Sequence, residues 1–432
     1  MSASSPVITI RPARGLRGSM RLPGDKSISH RYAMLAGIAE GRSVLRNFSS
    51  GADCASTLAC LQALGCEIRR QGDQVDIAGR GPQLAPPHAP LDCGNSGSTM
   101  RMLSGIVAGQ SFAAELAGDE SLSRRPMARI IHPLAQMGAS ISARGVGERP
   151  PLLVHGGGLH AIDYTLPVAS AQVKSCVLFA GLFAEGTTHI EEPIRTRDHG
   201  ELALEAFGAV VERAPRRAAI RGGQRLHGIE ATIPGDISSA AFFLCAAAVL
   251  PESNLVLDDV LLNPTRAVLL DVLRALGASV QVTRVEEHHG ELVGTVVVEP
   301  RSLGGARIAG AQSAALIDEL PVLAAIAPFT REGITIADAR ELRVKESDRI
   351  ATVAENLRRM GAQVEEQADG LRVPGGQQLR GAEVDSAGDH RIAMAFAVAA
   401  LAATGETRIH GADAARISYP EFFQKLEALV VR

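Results

Sequence analysis

The chain writes almost every positive charge as arginine: of 44 Lys and Arg, only Lys26, Lys174, Lys345 and Lys425 are lysine. Lysine differs from arginine in carrying a compact charge on a flexible stem, with a pKa that moves readily on burial. Lys26 and Lys345 sit among small, polar and ionisable residues, in LPGDKSISHR (22–31) and LRVKESDR (342–349). Both positions read as functional, whereas Lys425 reads as a solvated face.

Two kinds of chemistry are suggested by the runs around these lysines: holding anions and moving protons. LPGDKSISHR places a tight turn before a helix, with Lys26 at the start and Ser27 and Arg31 four residues apart on one face. Free N–H groups at such a helix start bind anions. DCGNSGSTMR (92–101) is a run of small residues opening a helix, either a backbone nest for phosphate or carboxylate or a polar loop with a good cap. DESLSRRPM (119–127), VASAQVKS (168–175) and RTRDH (195–199) add further cations and small polar groups. LIDELP (316–321) sets Asp318 and Glu319 in an apolar stretch, where carboxylates must be hydrogen-bonded, paired or catalytic. LRVKESDR reads as a helix with Lys345 and Arg349 on one face and Glu346 beside the lysine. AGDHRIAMAF (387–396) opens a buried helix with Asp389, His390 and Arg391. A surface ion-pair network is the ordinary account of a run such as KESDR, but it leaves unexplained why several such clusters flank apolar helices.

The elements that must position these groups repeat along the chain. A helical tail of the form Leu-x-x-apolar followed by Gly recurs in LQALG (61–65), LAQMG (134–138), LEAFG (204–208), LRALG (273–277) and LRRMG (357–361). A sixth copy, LEAL (426–429), ends in Val430. The closing positions lie 73, 70, 69, 84 and 69 residues apart. After each glycine comes an alternating strand, a turn and a second strand, as in AQVEEQADGLRVPG, where Asp369-Gly370 signals the hairpin. Six such units fall as three plus three around GIEATIPGDISSAAFFLCAAAVL (228–250), a strand joined to a buried helix. One lobe is expected over about residues 24–238, and the other over 1–23 with 239–432, the amino-terminal strand ITIRPARGLRGSMRLPG pairing with the carboxy-terminal half. Two crossings between lobes would make a hinge, and a cleft is the default ligand site.

Composition narrows the class. A length of 432 residues suggests two or three domains, and 46% hydrophobic with 21% charged residues excludes intrinsic disorder. The net charge of −3 gives no basic face, so nucleic acid is not an expected partner. The longest uncharged apolar stretch, 240–250, is far short of the roughly 20 residues of a membrane span, and MSASSPVITIRPARG has no apolar core of a leader. Six cysteines without a C-x-x-C pair argue against structural zinc and a disulfide framework, and a cytoplasmic soluble protein is expected. HGGG (155–158) lacks a G-x-S-x-G elbow, His288-His289 lacks zinc spacing, and the Gly-x-Gly at 79–81 lacks the third glycine of a dinucleotide fingerprint.

LPGDKSISHR, GNSGSTMR, RRPM, SAQVKS, RTRDH, IDELP, LRVKESDR and GDHR occur in this order, and together they resemble the 5-enolpyruvylshikimate-3-phosphate synthase family over essentially the full length. The resemblance implies an α/β fold of two lobes, each of three βαβαββ units with helices inside, an inside-out α/β barrel. It implies transfer of the enolpyruvyl group of phosphoenolpyruvate to the 5-hydroxyl of shikimate 3-phosphate, with release of phosphate, on the way to chorismate and aromatic amino acids. By similarity, shikimate 3-phosphate would contact Lys26, Ser27, Arg31, Ser170, Gln172, Arg197, Asp318 and Lys345. Phosphoenolpyruvate would contact Lys26, Gly97, Arg125, Gln172, Arg349 and Arg391, with Asn95 shaping the loop. Asp318 would be the base and Glu346 the proton donor to carbon, with Lys26 a third catalytic group. No metal or organic cofactor is implied, and a monomer is expected.

The pattern departs from the family in two places. Ile417 stands two residues before Tyr419-Pro420, where many members carry Lys, leaving Arg416 as the neighbouring cation. SAQVKS, RTRDH and DELPVLA resemble the glyphosate-tolerant class, yet Gly97 stands where that class often has Ala, so binding of glyphosate is expected. The related UDP-N-acetylglucosamine enolpyruvyl transferases carry a Lys-Asn pair near the amino terminus and a reactive loop cysteine. Here Lys26 is followed by Ser27, and neither Cys93 nor Cys176 lies in a matching loop.

Overall fold

A computed structural model describes residues 6–432, so the first five residues of the stretch read above for a leader lie outside the described residues. The chain divides into two compact units. One comprises Gly24–Ile233 with Glu287–Glu291; the other comprises the residues up to Pro23, Pro234–Glu286 and Leu292–Arg432. The break thus falls just before the Pro-Gly-Asp turn, whose Asp236 caps the helix Ile237–Val249 of the second unit.

Among the described residues each unit holds three small sheets: all three of the first unit and one of the second are four-stranded with a shared order, and the second unit adds a three-stranded and a five-stranded sheet. In the first unit, Leu91–Asp92, Ala113–Ala117, Arg149–His155 and Ser140–Gly145 lie side by side in that order. The first pair is parallel and the others are antiparallel. A parallel pair needs a crossover, supplied here by the helix Gly97–Ala108, while the last two strands form a hairpin. Asp163–Thr165, Thr187–Glu191, Arg217–Arg221 and Val211–Ala214 repeat this order, and so do Ala306–Ile308, Ile334–Ile336, Gly370–Val373 and Glu365–Gln367 in the second unit.

Strands from distant parts of the chain complete the remaining sheets. Glu230–Thr232 pairs in parallel with Arg42–Arg46. The amino-terminal stretch forms two strands rather than one. Val7–Ile10 pairs with Thr407–His410, and Gly15–Arg21 pairs with both Asn254–Leu261 and Val430–Val431. Pro12, which cannot donate to a ladder, lies in the break between them.

The two main helices of a repeat differ in kind. Of the thirteen residues of Ile237–Val249, twelve are buried, as is every residue of His390–Leu401. Arg349–Arg359 instead buries a stripe of Ile350, Val353, Ala354 and Leu357 and exposes its other face. The first helix of each repeat is therefore interior, covered by sheets and stripe-bearing helices. Gly105 shows how tightly interior helices meet: a Cβ there would lie 2.1 Å from the Cys176 carbonyl oxygen, so no other residue fits between Gly97–Ala108 and Ala171–Gly181. With few aromatics available, Phe243, Tyr419 and Phe422 gather in one cluster that seats the carboxy-terminal helix Phe422–Leu429.

The glycines that close the repeated helical tails have a conformational reason to be glycine. Gly65, Gly138, Gly208, Gly277 and Gly361 have φ between +89° and +101°, the left-handed region in which a helix is turned directly into its following strand. Val430, at φ −66°, continues as a strand instead. In the hairpin of the fifth unit, Gln367 pairs with Gly370, so Ala368-Asp369 forms the turn and Gly370 already belongs to the strand. Among the described residues no helix is long and apolar enough to cross a membrane.

Candidate active site

The chemistry-bearing residues collect at the starts of the interior helices. In the first unit Lys26 is the first residue of Lys26–Ile38, capped by Asp25, whose carboxylate accepts from the Ile28 N–H. Gly97 is the first residue of Gly97–Ala108, capped by Ser96, and Ser170 caps Ala171–Gly181. Each start leaves backbone N–H groups available to an anion and adds the positive end of a helix dipole.

Side chains tie these starts together. Lys26 Nζ lies 2.8 Å from Asp53 Oδ2. Arg31 donates from Nη1 to the Ser27 carbonyl (2.9 Å) and from Nε to Ser175 Oγ (3.1 Å), joining the first and third helices. Burial pulls the Arg31 guanidinium down to about 10, while Glu201 favours its charge and Arg197 opposes it; it remains a cation at neutral pH. Gln172 accepts from Arg101 Nη1 (2.7 Å) and donates to Ser98 Oγ (2.9 Å), so both ends of its amide are fixed. Arg125 donates to Asn95 Oδ1 (2.7 Å), and Asn95 in turn donates to Asp119 Oδ2 (2.7 Å). A Cβ at Gly97 would meet Nη1 of Arg101 at 3.2 Å and of Arg125 at 3.4 Å, so both guanidinium groups face that glycine. Underneath runs a neutral chain of His30, Thr57, Thr99 and Ser96, with links of 2.7, 2.7 and 2.8 Å. Burial holds the His30 imidazole well below its usual value.

The second unit carries the proton-transfer candidates. LRVKESDR is not one helix. A short helical turn, Arg340–Val344, is followed by Lys345 in extended backbone, and Asp348 then caps the new helix Arg349–Arg359. The cap interrupts the run because Asp348 accepts from the Ala351 N–H, which sets the helix start at Arg349. Arg349 is 1% exposed and meets three carboxylates. Its Nε lies 2.8 Å from Asp389 Oδ2, its Nη2 2.6 Å from Glu346 Oε2, and its Nη1 3.5 Å from Asp318 Oδ1. Burial disfavours the Arg349 charge, but Asp389 and Glu346 more than offset this and hold the guanidinium above its ordinary value. Arg391 donates to the Asp318 carbonyl (2.8 Å), with Nε 3.7 Å from Asp318 Oδ1. Burial pulls the Lys345 ammonium down, against the attraction of Asp318. Glu319 has its Oε1 3.9 Å from Arg391 Nη1, but its main partners are others. It is 1% exposed, accepts from Ser238 and faces Arg266, a buried pairing that accounts for its place in an apolar stretch.

Of the expected residues, Lys26, Ser27, Arg31, Gly97, Arg125, Ser170, Gln172 and Arg197 lie in the first unit. Asp318, Lys345, Glu346, Arg349 and Arg391 lie in the second. Arg416 is exposed in the short helix Ala412–Ile417. Sequence reasoning gave no role to Asp53, which sits in the unremarkable run SGADCAS, nor to Arg101 and Asp389, which it saw only as parts of motifs. For Arg101 and Asp389 a signal was present, since each stands at a helix opening that also carries a candidate ligand.

Interior helices whose starts gather cations, on sheets of this repeated design, define a fold class. The backbone matches the enolpyruvyl transferase NikO from Streptomyces tendae with a TM-score of 0.76, over 99% of this chain and 98% of that one; at 19% identity this speaks for fold alone. The match to EPSP synthase from Acinetobacter baumannii is closer, with a TM-score of 0.88 and 39% identity over 98% of both chains. The family model for EPSP synthase (3-phosphoshikimate 1-carboxyvinyltransferase) matches residues 10–426. Two relatives bearing that enzyme name, from Koribacter versatilis (strain Ellin345) and Solibacter usitatus (strain Ellin6076), are 61% and 57% identical. They cover 98% and 97% of this chain, and 99% of each relative is matched. The chain belongs to the EPSP synthase family.

Proposed function

We propose that the two sets of residues carry out the reaction of the family: transfer of the enolpyruvyl group of phosphoenolpyruvate to the 5-hydroxyl of shikimate 3-phosphate. Lys26, Ser27, Arg31, Ser170, Gln172, Arg197, Asp318 and Lys345 bind shikimate 3-phosphate. Lys26, Gly97, Arg125, Gln172, Arg349 and Arg391 bind phosphoenolpyruvate, and Asn95 holds Arg125 toward it. The observation that carries this reading is the placing of Asp318 and Glu346 against two different nitrogens of one buried guanidinium, at 3.5 and 2.6 Å.

The chemistry needs a base, an acid and a dense set of cations. Asp318 takes the proton of the 5-hydroxyl as its oxygen bonds to C2 of phosphoenolpyruvate, and Glu346 gives a proton to the C3 methylene. A tetrahedral intermediate joining both substrates results. Loss of a proton from C3 and of phosphate from C2 then restores the double bond. Arg349, Arg391, Arg125 and Lys26 oppose the charge of the phosphate and carboxylate groups throughout, fixed in place before substrate arrives. Asp318 supports the charge on the buried Lys345 ammonium, which burial alone would disfavour.

Six buried cysteine thiols suit a reducing compartment, which supports action in the cytoplasm, and the chain is taken to work as a monomer. A phosphate-release assay tests the assignment. Release is expected only with both substrates present and in step with formation of the enolpyruvyl ether. Release from phosphoenolpyruvate alone at the same rate would overturn it.

A further inference from the structure

Lys26 and Lys345 are accounted for by the reaction, and Lys425 is exposed. The remaining lysine, Lys174, lies in the interior helix Ala171–Gly181 and is 2% exposed. Its Nζ lies 2.7 Å from Glu201 Oε1 and 3.1 Å from Glu192 Oε2. Both carboxylates are buried, at 6% and 4% side-chain exposure. They come from either end of one segment: Glu192 directly follows the strand Thr187–Glu191, and Glu201 lies in the first turn of His199–Ala206. Arg197 is carried between them.

Each carboxylate does something besides neutralising the lysine. Glu192 Oε2 accepts from the Thr196 N–H (3.4 Å), and its Oε1 accepts from the Thr196 hydroxyl, which anchors the residue preceding Arg197. Glu201 supports the charge of Arg31, while Arg197 repels it. One ammonium therefore links the anchor of Arg197 to the carboxylate that balances Arg31. Without it two buried carboxylates would lose the cation they share, a costly change. Burial already pushes the Glu201 carboxyl up despite Lys174, and its Oε2 has no hydrogen-bond partner. A planar guanidinium is wider than the ammonium held here between two oxygens, which explains a lysine in a chain that otherwise writes arginine.

We propose that Lys174 is a positioning residue for shikimate 3-phosphate: by bridging Glu192 and Glu201 it fixes Arg197 with respect to Arg31, so that the two cations receive one anionic group together. This rests on the assignment of Arg31 and Arg197 to that substrate made above.

The test compares the wild-type chain, Lys174→Met, and the neutralised triple variant Lys174→Met/Glu192→Gln/Glu201→Gln, which removes the ammonium together with both carboxylates it bridges and so keeps a folded protein in the comparison. Calorimetric titration with shikimate 3-phosphate, melting temperature, hydrogen exchange of the peptide over residues 192–198 and the Michaelis constant for phosphoenolpyruvate are measured. The expected result is a melting temperature restored in the triple variant, with shikimate 3-phosphate bound at least about tenfold more weakly than by wild type. Exchange over 192–198 is faster, and the phosphoenolpyruvate constant at saturating shikimate 3-phosphate stays within about threefold. Recovery of wild-type affinity together with stability would show a merely structural lysine and overturn the proposal. Failure of the wild-type chain to bind shikimate 3-phosphate would overturn the substrate assignment and this inference with it, whereas wild-type binding with unaltered variants overturns the inference alone.

Discussion

Asp389 caps the interior helix His390–Leu401 through the Arg391 N–H and at the same time holds Arg349 Nε at 2.8 Å. One carboxylate thus sets two of the cations assigned to phosphoenolpyruvate, Arg391 through the backbone and Arg349 through its side chain. Asn caps a helix about as well as Asp but carries no charge, so Asp389→Asn separates the two roles. The variant is expected to fold with a lowered melting temperature, since a buried pair is broken, and to lose at least about tenfold in kcat/KM for phosphoenolpyruvate, about 1.4 kcal/mol. Steady-state kinetics at saturating shikimate 3-phosphate check this, and unchanged kcat/KM would remove Asp389 from the account.

Lys26→Arg keeps the charge and is expected to be damaging. Lys26 Nζ is held 2.8 Å from Asp53 Oδ2 in a site only 17% exposed, where a wider planar fork displaces its neighbours. A loss in turnover of about a hundredfold or more is expected, with little change in melting temperature. Near-normal turnover would show that charge alone suffices at this position.

A methyl group at residue 97 would press on the ends of two guanidinium groups, 3.2 and 3.4 Å away. Both ends can yield, at a cost within the range of about 1–3 kcal/mol typical of small-to-large changes. Glyphosate, which competes with phosphoenolpyruvate in this family, is the longer molecule and has less room to accommodate the shift. Gly97→Ala is expected to raise its inhibition constant at least about tenfold and the Michaelis constant of phosphoenolpyruvate by a smaller factor. Inhibition measured against varied phosphoenolpyruvate decides it, and equal inhibition constants before and after would defeat the argument from space.

Burial lowers the pKa of Lys345 below the ordinary lysine value of 10.5, against the attraction of Asp318, Glu346 and Glu341. A lowered pKa means the ammonium is lost earlier as pH rises, and the neutral amine no longer attracts an anion. Affinity for shikimate 3-phosphate is therefore expected to be steady near neutrality and to fall with rising pH before 10.5 is reached. The ligand's phosphate, with its second pKa at about 6, does not titrate there. Lys345→Met should bind more weakly throughout and lose this part of the alkaline decline; an unchanged profile in the variant would place the titration elsewhere.

Much of this architecture is legible in the sequence because it is repeated. A helix closed by glycine and followed by a hairpin demands the left-handed backbone that Gly65, Gly138, Gly208, Gly277 and Gly361 adopt. The apolar runs that become interior helices are likewise plain, since a helix buried all round shows no polar stripe. The failures are local. Lys345 and Arg349 have helical spacing, but a capping carboxylate at Asp348 outcompetes continuation of the helix, and such a cap differs from a helical Asp only in three dimensions. The partners of site residues are legible only where they share a motif. Glu346 and Arg349 do, whereas Asp53 meets Lys26 across 27 positions and Asp389 meets Arg349 across 40.

If Asp318 and Glu346, gathered by Arg349, act as base and carbon acid, C3 of phosphoenolpyruvate passes through a methyl group. Turnover in deuterium oxide tests this directly, with the product's methylene read by mass spectrometry. Deuterium is expected at that carbon in wild-type product, and Glu346→Gln should suppress both turnover and labelling while leaving shikimate 3-phosphate bound. Product formed at the normal rate with an unlabelled methylene would mean that C3 is never protonated, and would contradict the account.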